Sequence, residues 1–449
     1  MNTLSDAIAL SDPQKVIDTL AALKTSNFGH GRWLNGSNHF KVGAVDKLRI
    51  VPVPTLVNPN STDLKEYISI SSLIHSMDGW TYLSQSISSY LDGNFSGALH
   101  LAYYAELKAA LSFLSCQGIG VFDDEHYYIA SNNDCVKFNK NGNFTFKKGN
   151  GTHQIVWNLL KKWSIHGSNT EYLLKNIFVK GISINDWVSE FLGNPMTTAM
   201  PRATIVQHFF QTWCMDIQEM KKDRNARNFC SYRPQKIVSP TRVDFDKTLY
   251  NIIELTRLLE PSGITEQYRL LDNNILKETL LLCFDKILGN TGNYQQKIRT
   301  TCANLNVTDA ALINHLSDDV NVHDVFAEGR MEAMDSQDQI YPFSVICRAL
   351  LTLRISTMAC QDVIKQAGIN KSDLKFWISE ILDVNGFLAF NNITTMSELW
   401  ADKEAAINEL VKLFSNSSPP NIIDSNISNG HDIWQLKKIH SSYFWGIGF

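Results

Sequence analysis

The 449-residue sequence lacks the short motifs that mark many catalytic sites. It contains no Gly-x-x-x-x-Gly-Lys-Ser/Thr phosphate loop, no Gly-x-Gly-x-x-Gly turn, no His-Glu-x-x-His zinc pair and no Gly-x-Ser-x-Gly elbow. The absence of glycine-rich phosphate loops argues against an NTPase. We therefore expect no cofactor and no metal ion.

Paired cysteines and targeting segments are also missing. None of the eight cysteines belongs to a Cys-x-x-Cys pair, and most lie in apolar runs, where a free cysteine behaves as a small core residue. This usage is typical of a reducing compartment. The first residues show no signal-peptide pattern, and no apolar run approaches the ~20 residues of a membrane helix. We expect a soluble cytoplasmic protein that binds no membrane.

Charge of one sign is not in excess. The formal net charge is −4 and the pI is about 6.3, so a nucleic-acid site would have to be a local patch. Hydrophobic residues make up 44% of the chain, which is enough for true cores and excludes a disordered protein. The length allows two or three domains.

Helical spacing of apolar residues dominates the chain and predicts a mainly α fold. The clearest helix carries Leu99, Tyr103, Leu107, Leu111 and Leu114 on one face and ends near Gly118. From Pro240 onward, helical patterns follow one another almost throughout. One of them contains Arg348 and Arg354, which we expect to be buried and paired with carboxylates, or else to meet a partner.

Turn residues and changes in composition predict five segments. The first, 1–65, is a small α/β N-terminal extension with an edge strand or extended arm near 47–57. The second, 66–235, is a helical bundle with a basic hairpin insert at 131–155, around Asn141-Gly142. A C-terminal helical domain (240–414), a linker (415–430) and an aromatic tail (431–449) follow. The tail is too aromatic to be solvated, so it should dock on the body or on a partner.

The stretch from Pro201 to Pro234 is the most informative one. It begins as a helix with an apolar face and ends in a basic, polar segment. Residues 221–244 hold seven basic residues against two aspartates, a local charge of +5. Guanidinium and phenol groups suit phosphates and bases. The alternative is a solvated helix end whose cations complement the helix dipole; we prefer it for Lys221 and Lys222.

An acidic cluster, Phe-Asp-Asp-Glu-His at 122–126, is the other candidate site. Its oxygens could bind a divalent cation near His126. A single short cluster is weak evidence, and we favour a solvated acidic turn.

Two segments resemble the HEPN superfamily, the higher eukaryote and prokaryote nucleotide-binding proteins. The segment LHLAYYAELKAALSFLSCQGIGVF is similar to an early helix of that bundle, and RNARNFCSYRP is similar to the segment with the Arg-x(4–6)-His motif. The resemblance covers about 70–235. It implies a helical bundle, often dimeric, and in many members a metal-independent RNase of toxin–antitoxin or phage-defence systems.

By this resemblance Arg227 and Asn228 match the first positions of the motif. Tyr232 stands where the histidine could be, and a tyrosine with its ordinary pKa near 10 is a poorer proton shuttle at neutral pH. Arg202 and His208 fit an Arg-x(5)-His pattern literally. Six residues turn a regular helix by ~600°, so these two side chains should not share a face.

Two functions follow as expectations. The first is an RNA- or nucleotide-binding effector of a prokaryotic antiviral defence system, acting as a metal-independent RNase. Its catalytic residues would be Arg227, Asn228 and Tyr232, or alternatively Arg202 and His208. Its phosphate-binding residues would be Arg224, Arg233, Lys221 and Lys222. The second is a non-catalytic scaffold or sensor that binds partner proteins. Both include a protein partner or a homo-oligomer.

Overall fold

The computed structural model describes most of the chain. The described residues are 3–50, 55–56, 60–139, 151–193, 199–211, 217–232, 245–261, 268–318, 325–326, 329, 341–384, 396–414 and 429–448. Helices dominate these residues, and strands are few and short. The prediction of a mainly α fold is confirmed.

Ten helices are described in the first half of the chain. They are α1 (Leu4–Leu10), α2 (Pro13–Ser26), α3 (Ala44–Arg49), α4 (Asn60–Leu91), α5 (Phe95–Cys116), α6 (Thr152–Ser164), α7 (Gly167–Lys175), α8 (Ile184–Leu192), α9 (Ala199–Gln211) and α10 (Ile217–Tyr232), with a 3₁₀ turn at Phe28–His30. Asp12 and Asn94 cap α2 and α5 by accepting backbone N–H groups.

The described part of the second half continues the helical pattern. It contains α11 (Phe245–Arg257), α12 (Arg269–Leu282) with a π-helical turn at Cys283–Ile287, α13 (Tyr294–Asn304), α14 (Ala310–Ser317), α15 (Pro342–Gln366), α16 (Lys375–Val384), α17 (Met396–Phe414), α18 (Gly430–Lys437), a 3₁₀ turn at Ile439–Ser441 and α19 (Ser442–Gly446).

Three long helices, α4, α5 and α15, form the centre of the molecule. They meet at Gly79, where an added Cβ would lie 2.8 Å from Leu353 Cδ2 and 3.2 Å from the Ala105 carbonyl oxygen. Glycine is therefore needed for this close approach. Trp80 is fully buried beside it and donates its indole N–H to Thr357 at 2.9 Å.

Helix α15 is apolar and long enough to cross a membrane by length and composition. The qualifying window is 100% buried inside the fold, as in the core helix of a soluble protein. Its two arginines are buried and paired, as predicted. Arg348 contacts Asp223 and Glu106, and Arg354 donates to Asp272 at 2.6 Å.

A four-stranded antiparallel sheet lies beside the helices. Its strands are β1 (Thr55–Leu56), β2 (Ile119–Phe122), β3 (Glu125–Ile129) and β4 (Cys135–Phe138), in the order β1-β4-β3-β2. A separate hairpin pairs β5 (Phe178–Val179) with β6 (Ile182–Ser183). The edge position of β1 confirms the predicted edge strand. The prediction that it extends back to Lys47 is wrong, because 47–49 belong to α3.

The sheet corrects two further predictions. Asp123 and Asp124 form the turn between β2 and β3, but Glu125 and His126 are buried in β3, so the solvated acidic turn holds only for the aspartates. The strand that was predicted to start the basic hairpin, β4, pairs with β3 and β1. The predicted turn at Asn141-Gly142 lies outside the described residues.

The stretch from Pro201 to Pro234 contains two helices, α9 and α10, and residues 212–216 between them lie outside the described part. Ile205 and Phe209 are buried on α9, which confirms the start of the predicted apolar face. The side chains of Trp213 and Ile217 are not among those described.

The aromatic tail docks on the chain's own helices. Tyr443 and Phe444 are fully buried, and Trp445 nearly so. The Tyr443 hydroxyl donates to the Leu73 carbonyl at 3.2 Å, and the Trp445 indole donates to the Leu259 carbonyl at 3.1 Å. The tail was predicted to dock on the body of the chain or on a partner, and its described residues dock on the body.

Segments from different predicted domains share one core. Helix α15, from the predicted C-terminal domain, packs against α4 and α5 of the predicted bundle. The domain boundaries remain a prediction.

Candidate phosphate-binding site

The site is built on α10, which carries most of the predicted basic residues. Arg227 and Arg224 are half-buried, whereas Asn225 and Asn228 are exposed. Asp223, one turn before Arg227, is completely buried. The helix therefore turns one acidic group into the core and holds Arg227 at the edge of that core.

The guanidinium of Arg227 lies against two tyrosines of α5. Its Cζ is 5.4 Å from the ring centroid of Tyr103 and 5.4 Å from that of Tyr104. These distances are within the range of cation–π interactions, which are strongest where water is partly excluded. The two adjacent rings thus fix the position of the guanidinium.

His153, in the first turn of α6, completes the contacts around Arg227. Its Nε2 is 3.4 Å from Arg227 Nη2, and its Nδ1 is 2.8 Å from the Tyr103 hydroxyl. Arginine can only donate, so Nε2 accepts and the ring proton lies on Nδ1, which donates to the Tyr103 oxygen. The Tyr103 and His153 rings are stacked at 5.7 Å.

The protonation of His153 is shifted by its surroundings. Burial, and then the positive charges of Arg227 and Arg224, lower its pKa to about 4. His153 is therefore neutral at neutral pH. His100 lies one turn before Tyr104, at 5.0 Å between ring centroids, and its pKa is also lowered, by burial first and by Arg227 second.

A buried cluster of charged side chains supports the site from the core side. Arg348 of α15 donates to both oxygens of Asp223, from Nε at 2.9 Å and from Nη2 at 2.7 Å. Glu106 of α5 lies 3.5 Å from Arg348 Nε. Burial, and then the charge of Asp223, raise the pKa of Glu106 well above its ordinary value. The cluster joins α5, α10 and α15, with Glu106 one turn after Tyr103 and Asp223 one turn before Arg227.

The predicted phosphate-binding and catalytic residues on α10 differ in their exposure and in their contacts. Arg224 donates to the side chain of its neighbour Asn225 at 3.3 Å and acts on His153 through its charge. Lys221 is half-buried and Lys222 is exposed. Asn228 is on the exposed side of the helix. Tyr232 is the last residue of α10, and its side chain is not described; Arg233 lies outside the described residues.

The alternative pair on α9 is held by different carboxylates. Arg202 contacts Glu171 at 3.1 Å and Asn185 at 3.2 Å. His208 lies 3.6 Å from Glu278. The structure thus gives Arg202 and His208 separate partners, as expected for side chains on different faces of a helix.

The acidic turn makes ion pairs with basic side chains. Arg49 of α3 lies 2.6 Å from Asp123 and 3.0 Å from Asp124, and Glu125 pairs with Lys137. Within the described ranges, His, Cys, Asp and Glu side chains nowhere gather in groups of three or more that could hold a metal ion.

Sequence reasoning missed four members of the site, namely His100, Tyr103, Tyr104 and His153. His100 lies three and four residues before Tyr103 and Tyr104, so helical spacing could have grouped the three on one face. His153 had no such signal, because it comes from another helix and its place beside Arg227 is a tertiary contact. His153 is thus a histidine beside Arg227 that lies outside the segment 201–234.

Comparisons of the chain with protein-family models, with curated proteins and with solved structures return no match.

Proposed function

We propose that this chain is a HEPN-like, RNA- or nucleotide-binding effector of a prokaryotic defence system, and that it cleaves RNA without a metal ion at the Arg227 site. The sequence resemblance supports the class. The observation that carries the proposal is the contact of Arg227 with a neutral histidine and two tyrosines. These are the groups that a metal-independent cleavage of a phosphodiester needs: a cation for the phosphate and a base for the proton.

The proposed reaction is a transesterification. The 2′-oxygen of the RNA attacks the adjacent phosphorus, and its proton passes to Nε2 of His153, the ring nitrogen without a proton, as the Arg227 guanidinium turns from Nε2 to the phosphate. Arg227 stabilises the charge on the phosphate oxygens. The P–O5′ bond breaks, and the 5′-oxygen takes the proton back from His153. The products are a 2′,3′-cyclic phosphate and a 5′-hydroxyl, and His153 is again neutral.

In this proposal His153 takes the role that the motif would give to a histidine at position 232. Tyr103 positions His153 by accepting its Nδ1–H. Arg224, one turn before Arg227 on α10, adds positive charge. Dimerisation around a shared cleft is part of the proposal through the HEPN resemblance alone.

The decisive experiment is cleavage of total cellular RNA by the purified protein in EDTA. We expect wild-type activity, loss of activity in Arg227→Ala, and a loss of about 10²- to 10⁴-fold in His153→Gln. Arg299→Ala, which removes an exposed arginine of α13, is the matched control and should retain full activity. Activity that persists in both site variants and disappears in Arg202→Ala or His208→Ala would transfer the proposal to α9.

The non-catalytic scaffold or sensor is the second candidate, and Tyr232 in place of the motif histidine favours it. In that case the site binds phosphate without cleaving. Purified wild-type protein would then bind single-stranded RNA through Arg227 but leave it intact. The aromatic tail adds no support, since its described residues pack against the chain's own helices.

A further inference from the structure

A second pair of rings extends the aromatic surface away from Arg227. Tyr82 of α4 stacks on Tyr104 of α5, with 5.5 Å between centroids and 30° between the ring planes. Both side chains are half-buried. Tyr104 is shared, because its ring also lies under Arg227 and beside His100. The guanidinium and the Tyr82 ring therefore both contact one tyrosine, Tyr104.

A charged group lies next along the same two helices. Lys108, one turn after Tyr104, donates to Asp78 at 2.8 Å and lies 3.1 Å from His75 Nδ1. Asp78 is one turn before Tyr82. The side chains remain accessible, with 24% of Lys108 and 42% of Asp78 exposed. The stacked tyrosines thus have Arg227 of α10 against Tyr104, and the Asp78–Lys108 ion pair lies one helical turn further along α4 and α5.

We infer that the Tyr82 ring, which is backed by Tyr104, is a stacking platform for a base of single-stranded RNA whose phosphate is bound by Arg227. This inference depends on the proposed function, and it adds the substrate class: an unpaired strand, recognised by its bases as well as by its backbone. Aromatic rings next to cations are the recurring way in which proteins hold single strands, because every base has a π face. The Asp78–Lys108 pair offers an acceptor and a donor to the edge of the stacked base.

A duplex would not fit the same groups. Bases in a duplex are already stacked on their neighbours, so a tyrosine platform gains contact only with an unstacked base. The chain's net charge of −4 also disfavours binding by the backbone alone. Stacking would supply the affinity that a small number of cations does not.

Binding of labelled oligonucleotides separates the two contributions. The probes are an eight-nucleotide 2′-O-methyl RNA, which lacks the attacking hydroxyl, and the same backbone carrying abasic residues. We expect wild-type protein to bind the base-bearing probe more tightly. Tyr82→Leu should weaken that binding by about 5- to 150-fold, the range for one base–aromatic contact, and leave the abasic probe unaffected.

Two variants control for damage to the fold. Tyr82→Phe keeps the ring and should bind as wild type. Tyr67→Leu removes a half-buried tyrosine from the same helix, about 22 Å away, where its ring lies 5.7 Å from Phe122. It should also bind as wild type. Arg227→Ala should weaken binding of both probes.

The outcomes distinguish this inference from the proposed function. Equal binding of the two probes by wild-type protein, or base-dependent binding that survives in Tyr82→Leu, overturns the platform and leaves the phosphate site standing. If wild-type protein binds neither probe, the proposed function and the platform are both refuted. Loss of base-dependent binding in Tyr82→Leu but not in Tyr82→Phe or Tyr67→Leu supports the platform.

Discussion

Arg227 and His153 show how one residue sets the chemistry of another. A guanidinium beside an imidazole opposes its protonation, so the pair holds a fixed positive charge and a neutral base within 3.4 Å. An anion that enters this site would reverse the balance, since its negative charge favours the imidazolium. The protonation of His153 therefore reports directly on whether the site is filled.

We predict that phosphate raises the pKa of His153 from about 4. The charged form gains a partner when phosphate binds, so binding of a given phosphate species should also become tighter as the pH falls through the raised pKa towards 4. Titration of the His153 ring signals by NMR, with and without inorganic phosphate, measures the shift. Arg299→Ala should leave it unchanged. A pKa that phosphate does not move would argue against an anion site at Arg227.

Glu106 gives a prediction about stability at the same scale. Its folded pKa is raised, so the folded state holds a proton that the unfolded state releases above about pH 4.5. The stability that this proton contributes is present at low pH and is lost as the pH rises from 4.5 through the folded pKa. Glu106→Gln cannot ionise and should remove this loss.

Denaturant unfolding between pH 4 and 8 tests the prediction. The free energy of unfolding of Glu106→Gln should decline less with rising pH than that of the wild type. Glu404→Gln, an exposed glutamate of α17, should follow the wild-type curve. Identical curves for all three proteins would mean that Glu106 is ionised in the fold.

At the site, Arg227 could be predicted from the sequence, but the residues that surround it could not. Local composition marked α10 because five basic side chains between 221 and 233 are visible without any fold. Tyr103 was assigned to a helical face, and only packing against α10 and α6 shows that it also contacts Arg227 and His153. Contacts between residues that are distant in the chain leave no local pattern, and for that reason His153 was missed.

Among the elements, the C-terminal segment has the clearest structural role. Within residues 439–447, Tyr443 donates to Leu73 of α4 and contacts Trp377 of α16, and Trp445 donates to Leu259, just after α11. Their burial makes them part of the core. The segment should therefore be needed for folding, whether or not it also meets a partner.

We predict that Tyr443→Ala lowers the free energy of unfolding by about 3–5 kcal/mol, as truncation of a buried aromatic ring does. Tyr443→Phe removes only the hydrogen bond to the Leu73 carbonyl and should cost about 0.5–1.5 kcal/mol. His431→Ala, at a side chain that is 79% exposed, should change stability by less than about 0.5 kcal/mol. Urea unfolding measures all three. Unchanged stability in Tyr443→Ala would show that the segment is not part of the core.

Element types were predictable to the extent that they depend on local periodicity. Helices α5 and α15 were found because each carries a long apolar face, and the pairing of Arg348 and Arg354 of α15 with carboxylates follows from the cost of burying a bare charge. Strands β2 and β3 were missed. They are short and buried, so they lack the alternation of a half-exposed strand, and β2 follows α5 without a break in hydrophobicity.

For the whole molecule, charge limits how RNA can be held. The chain is negative overall, and within the described site the cations are Arg224, Arg227 and Lys108. Each phosphate that is neutralised on a single strand contributes about −0.7 to the slope of log K against log salt. We predict a slope of about −1.4 to −2.1 for a short single strand, and a slope shallower by about 0.7 in Arg227→Ala.

Binding of the 2′-O-methyl probe between 50 and 300 mM salt gives these slopes. Arg299→Ala should match the wild type. A slope of −5 or steeper would require a broad basic surface beyond this site and would contradict local recognition.

The contact of α4 with α15 also fixes an order of events during synthesis. Trp80 donates to Thr357, which is 277 residues later in the chain. At about 5–20 residues per second, a ribosome needs about 14–55 s to add that length. During this time the apolar faces of α4 and α5 lack their third helix, which makes the nascent chain a client for chaperones. Asp223 is likewise synthesised before its partner Arg348. The proposed RNase site therefore lacks this ion pair, and should cleave no RNA, until α15 has left the ribosome.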